Sequence, residues 1–95
     1  MNKLFLIHLG YYDEVSRGVY ECHTNIFVVA DNFDDAKSKA KHLDIVKEKK
    51  MHIDGMQLIE AVNGYSIVLE ATESLNGQDK ISTNKFRELA SKPNK

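Results

Sequence analysis

The segment Leu4-Phe5-Leu6-Ile7-His8-Leu9 carries apolar residues on both parities, and this constrains the fold more than any other feature of the chain. Alternate side chains of a β-strand point to opposite faces, so a strand that is apolar on both needs protein above and below it. The run is too short to persist as a helix, and Gly10-Tyr11-Tyr12-Asp13 ends it. A central strand is expected here, together with a source of cover for each of its faces.

The same run is too short to be an export signal, with about six apolar residues against the ~7–15 of a signal-peptide core, and no small-residue cleavage site follows it. No stretch approaches the ~18 apolar residues of a membrane span, so no membrane partner is expected. A single cysteine, Cys22, excludes an internal disulfide framework, which favours a reducing compartment and a cytoplasmic location. The chain of 95 residues has room for one core. We expect a single domain over 1–91 and a flexible polar tail over 92–95.

After a polar connection through Glu14, Ser16, Arg17 and Gly18, a second strand is expected from Val19. Tyr20, Cys22, Thr24, Ile26, Val28 and Ala30 share one parity, while Glu21, His23, Asn25, Phe27 and Val29 share the other. Asp31-Asn32 can accept from the free N–H groups of a following helix, and Asp34 and Asp35 suit its positive end. Phe33, Ala36, Ala40 and Leu43 form its apolar stripe, with Lys37, Lys39 and Lys41 outside it. The stretch Asp44 to Lys50 reads as a solvated loop in which Asp44 and Glu48 offset the lysines. The net charge is −1 and the pI near 6.4, so no broad positive field exists and nucleic acid is not expected as a partner.

Asn63-Gly64 stands between two further runs, Met56 to Val62 and Tyr65 to Ala71, and is a strong hairpin signal because a type I′ turn needs positive φ at both central residues. The turn sets Val62 opposite Tyr65, Glu60 opposite Ile67, Leu58 opposite Leu69 and Met56 opposite Ala71. Ile59 and Val68 would form a small apolar pair on the other face. Thr72 to Lys80 reads as a loop, and Ser82 as the cap of a terminal helix carrying Phe86, Leu89 and Ala90. The expected fold is therefore α+β: a four-stranded, mostly antiparallel sheet in the order β-β-α-β-β-α, with helices covering one face. One face of the first strand then lacks cover, which the terminal helix, the first loop or a second copy of the chain must supply. A homodimer is the expectation that follows.

Two pairs could carry chemistry. Glu21 and His23 are two apart on a strand, so they point the same way with Cα atoms roughly 6.5–7 Å apart, and His52 and Asp54 repeat the spacing. Together the four could serve as an acid/base set, while His23, His52 and Asp54 are candidate ligands for a divalent metal. The plainer alternative is a histidine and a carboxylate bonded to each other near a strand end. His8 reads as a core or interface histidine, His42 as a surface residue at a helix C-terminus, and Cys22 as a small buried hydrophobe. Tyr11, Tyr12 and Tyr20 gather around the first loop, where aromatic residues either pack over a sheet edge or anchor a partner. No phosphate-binding loop, nucleophile elbow, Cys-x-x-Cys or dinucleotide fingerprint is present.

The segments Leu4 to Gly10, Glu21-Cys22-His23, Phe27 to Asp31, Met51-His52-Ile53-Asp54 and Val62-Asn63-Gly64-Tyr65 resemble the bacterial domain-of-unknown-function family 1543, over about residues 3 to 70. No activity comes with the resemblance. The family commonly places Trp where this chain has Met56, and its first loop is shorter than Tyr12 to Val19. Its domains occur in one or two copies per chain, which implies that two units pack together and that a single-copy chain pairs with itself. From residues and resemblance alone, the first expectation is a non-enzymatic interaction module that homodimerises, with no organic cofactor. The alternative is a small enzyme or divalent-metal-binding protein built on Glu21, His23, His52 and Asp54.

Overall fold

The computed structural model describes residues 1–84. Its centre is a three-stranded antiparallel sheet made of β1 (Lys3–Tyr12), β2 (Glu21–Ala30) and β3 (His52–Ile59), in the spatial order β2-β1-β3. The run that is apolar on both parities thus occupies the middle, as expected. It pairs with β2 from Lys3↔Ala30 to Tyr12↔Glu21, and with β3 from Leu4↔Ile59 to Gly10↔His52.

One face of this sheet holds the core. Phe5, Ile7 and Leu9 are 0% exposed, and Val28 and Ala30 of β2 are buried beside them. Ile53, Met56 and Leu58 of β3 pack against the same cluster. Fully burying a side chain of the Phe or Leu type contributes about 1.5–3 kcal/mol, so these three residues of β1 anchor the domain. Cover comes from α1 (Phe33–Lys41), whose Ala36 and Ala40 are buried, and from α2 (Asp44–Glu48), which buries Val46. Phe33 meets Phe5 edge to face, with ring centres 5.1 Å apart.

α1 starts where its capping chemistry predicts. The Asp35 N–H donates to Asn32 Oδ1 at 2.8 Å, and the Asp31 N–H donates to Asp35 Oδ2 at 3.0 Å, so the two side chains satisfy backbone donors in reciprocal fashion. α2 replaces the solvated loop expected over Asp44 to Lys50. Its lysines and acids do face solvent, but Val46 reaches the core while its neighbour Ile45 stays exposed, and two adjacent apolar residues in a charged stretch are a weak signal. The chain leaves α2 through Lys50 at φ 51°, with the Met51 N–H donating to the Val46 carbonyl at 2.9 Å.

The expected four-stranded sheet is corrected. β3 pairs with β1 rather than with the segment after it, and the local hairpin shrinks to β4 (Ala61–Val62) and β5 (Tyr65–Ser66), a separate two-stranded unit. Its turn is as read: Val62 opposes Tyr65, with Asn63 at φ 53° and Gly64 at φ 81°. The Ile67 N–H still donates to the Glu60 carbonyl at 2.9 Å, but Leu58–Leu69 and Met56–Ala71 do not pair, and Val68 is exposed rather than packed on Ile59. Met56 and Leu58 are taken up by Ile7 and Phe5 of β1, where they join the core. A short 3-10 turn follows at Glu73–Leu75. Residues 81–84 carry no regular structure; the remainder of the helix expected from Ser82 and the 92–95 tail lie outside the described residues.

No described helix is long and apolar enough to cross a membrane. The second face of the sheet has no helix over it among the described residues. Leu4 and Leu6 are half-buried there, His8 is exposed, and Phe27 and Val29 of β2 remain 54% and 44% exposed.

Candidate functional site

Antiparallel pairing puts the starts of β2 and β3 at the same end of the sheet, on either side of the end of β1. Glu21 and His23 rise from one flank, His52 and Asp54 from the other. Gly10 lies between them, since it is the register partner of both His23 and His52. The flanking strands are two strand spacings apart, roughly 9.5 Å, so their side chains must lean inward over Gly10 to meet.

They meet because Gly10 has no side chain. A Cβ built on it would stand 2.6 Å from His52 Nε2, 2.7 Å from Asp54 Oδ2 and 3.0 Å from Glu21 Oε2. No real Cβ sustains such contacts, so the space above Gly10 belongs to these polar atoms. His52 Nε2 lies 2.9 Å from Glu21 Oε2 and 3.1 Å from Asp54 Oδ1. His23 Nε2 lies 3.3 Å from Asp54 Oδ2 and 3.6 Å from Glu21 Oε1.

A bulge in β3 keeps this set together. The pairing with β1 runs Gly10↔His52 and Leu9↔Ile53, then jumps to His8↔Gly55, leaving Asp54 as the additional residue. Its consequence is a change of parity. Met51 and Ile53 pack against the core from one side of the bulge, Met56 and Leu58 from the other, although an odd step separates Ile53 from Met56. A regular strand would expose one of these pairs, or turn His52 and Asp54 inward.

Further groups complete the surroundings. The His8 ring stacks on His23 with centres 5.0 Å apart and planes 9° apart, and its Nδ1 is 2.7 Å from Asn25 Oδ1. Tyr12 leans toward His52, with ring centres 6.3 Å apart. His8 is thus not a core residue: it lies on the open face beside the other imidazoles. His42 caps α1 at the surface, its Nδ1 2.7 Å from the Ser38 carbonyl. Cys22 is half-buried on the opposite face to His23, paired with Tyr11, over whose ring Lys49 Nζ sits 5.3 Å from the centre.

All four members of the set are between 32% and 45% exposed, so as ion pairs they would contribute no more than about 1 kcal/mol each. As potential metal donors they fall into two sets, since the ligand atoms of Glu21, His52 and Asp54 lie within 4.8 Å of one another, as do those of His23 and Asp54 with His8. Ligands about 2.0–2.1 Å from a tetrahedral centre stand roughly 3.3–3.4 Å from one another, and each nitrogen–oxygen separation is near that value, but together they use both oxygens of each carboxylate. The sequence reading named all four but had no means of placing them together. It missed Gly10, the floor of the site, and Asn25, the partner of His8.

The fold and site together define a small α+β domain with a His/carboxylate cluster on the open face of an antiparallel sheet. The chain belongs to the family described as Domain of Unknown Function (DUF1543), whose model matches residues 18–69, more than half of its length. All four cluster residues lie within that span, whereas β1, with His8 and Gly10, precedes it. No curated protein and no solved structure matches the chain.

Proposed function

We propose that this domain binds a divalent transition-metal ion through Glu21, His23, His52 and Asp54. The reading is carried by the convergence of two imidazole nitrogens and two carboxylates over Gly10, with the ligand atoms of Glu21, His52 and Asp54 within 4.8 Å of one another and His23 Nε2 3.3 Å from Asp54 Oδ2. Two nitrogen and two oxygen donors suit zinc and its neighbours better than calcium or magnesium, which prefer oxygen alone. This convergence places metal binding ahead of the interaction module favoured by the sequence. Titration of tag-free protein with zinc chloride in a calorimeter is the direct test. Saturable binding that is lost in Glu21→Gln and Asp54→Asn supports the proposal, and heat no different from buffer ends it.

The second reading is self-association through the apolar half of the same face. Phe27 and Val29, with Leu4 and Leu6 beside them, are the reason: an antiparallel sheet can leave one face in water, but that face is then ordinarily polar. Light scattering of the purified chain across a range of concentrations tests this, and a monomer throughout would discard it. A cytoplasmic location rests on the lone Cys22 and is checked by fractionation.

A further inference from the structure

The two carboxylates address the two histidines in a particular way. Glu21 presents Oε1 to His23 and Oε2 to His52; Asp54 presents Oδ2 to His23 and Oδ1 to His52. A single ion would use one oxygen of each carboxylate and leave the other two facing imidazoles with no metal between. Two ions use all four, each carboxylate spanning the pair. Separations of about 3.5–4 Å between ions are usual in two-metal sites, a distance that the two oxygens of a carboxylate bridge readily.

The donors also divide into two sets. The ligand atoms of His8, His23 and Asp54 lie within 4.8 Å of one another, as do those of Glu21, His52 and Asp54, so Asp54 is common to both. His8 is prepared for the role. Asn25 Oδ1 can only accept a hydrogen bond, so His8 Nδ1 is the donor in this contact and Nε2 is the ring nitrogen left to ligate a metal. Its ring is held parallel to that of His23, a ligand of the same set.

We propose that the site holds two divalent ions, one on His23 and His8 and the other on His52, with Glu21 and Asp54 bridging them. This rests on the metal-binding reading above and extends it. The ions bring four positive charges against two carboxylates, so their remaining positions would take water, hydroxide or an anionic group from solvent, to which the sheet face is open.

The test is stoichiometry. Tag-free protein is titrated with cobalt(II) chloride, following visible absorption and heat, alongside His8→Ala, whose wild-type side chain is exposed and whose folding is checked by circular dichroism. Two equivalents in the wild-type chain and one in His8→Ala are expected. One equivalent in both overturns the two-ion site and leaves the metal-binding reading standing; none in either removes both. Two equivalents in both overturns the role of His8. Should the variant fail to fold, the wild-type chain loaded with manganese(II) decides the question by electron paramagnetic resonance. Exchange-coupled ions are expected, and a spectrum of isolated ions overturns the proposal.

Discussion

His23 and His52 stand on strands that are not paired with each other, yet each is the register partner of the same glycine of β1. Gly10 is therefore a positioning residue, and its lack of a side chain has a measurable consequence. In Gly10→Ala the new Cβ meets the flexible ends of His52, Asp54 and Glu21 rather than backbone, so the fold should persist while the donors splay apart. Zinc affinity should fall by about 10–100-fold, the usual cost of disturbing a metal site's supporting shell, with little change in melting temperature. Equal affinity in the two proteins would show that the donors do not depend on the space above Gly10.

Acidification should release the metal, because protons compete for the imidazole and carboxylate donors that binding requires free. Zinc affinity measured by calorimetry is therefore expected to weaken steadily as pH is lowered and to be accompanied by proton release on binding. Affinity independent of pH would argue against histidine ligands.

The core prediction concerns Phe5, which is completely buried and meets the ring of Phe33. Phe5→Ala should cost about 3–5 kcal/mol in urea unfolding, from lost burial and the cavity left behind. A loss below about 1 kcal/mol, well under that range, would mean that the helices close onto the sheet without it.

At the start of α1, Asn32→Ala should lower stability by about 1 kcal/mol through loss of the cap. Asp35 adds a pH dependence there. The Asp31 N–H holds its carboxyl below the ordinary carboxylate range, against the opposing effect of desolvation and with further help from Lys39. A depressed folded-state value means that the contribution is present above the unfolded-state value and is lost as pH falls through the folded-state one. Asp35→Asn should accordingly flatten the acid limb of the stability profile, as followed by denaturation at successive pH values.

Gly64 occupies φ 81° in a turn whose flanking residues are exposed. Gly64→Ala should strain this turn by about 1 kcal/mol, and the effect should remain local. Faster amide exchange confined to residues near 61–67 is the expected result, with the protection of β1 unchanged.

Much of this was legible in the chain because it depends on neighbours in sequence. The two-sided apolarity of Leu4 to Leu9 marks a central strand, Asn32 marks a helix start, and Asn63-Gly64 marks a turn. The Glu21/His23 and His52/Asp54 pairs were visible as same-face neighbours. The bulge also left a trace, since the core parity changes between Ile53 and Met56. Beginning the strand at Met56 hid that trace and assigned Met56 and Leu58 to a long local hairpin.

The sequence by itself determined the central strand, the start of α1, the Asn63-Gly64 turn and the candidate metal ligands, because each of these follows from φ, ψ and side-chain spacing over a few positions. Tertiary structure alone decided that β3 joins β1 and not the segment after it, since both pairings bury apolar residues and only the helix-covered core rewards the distant one. That choice brings His52 and Asp54 across Gly10 to Glu21 and His23. The site exists through contacts between strands far apart in the chain, and no local pattern encodes them.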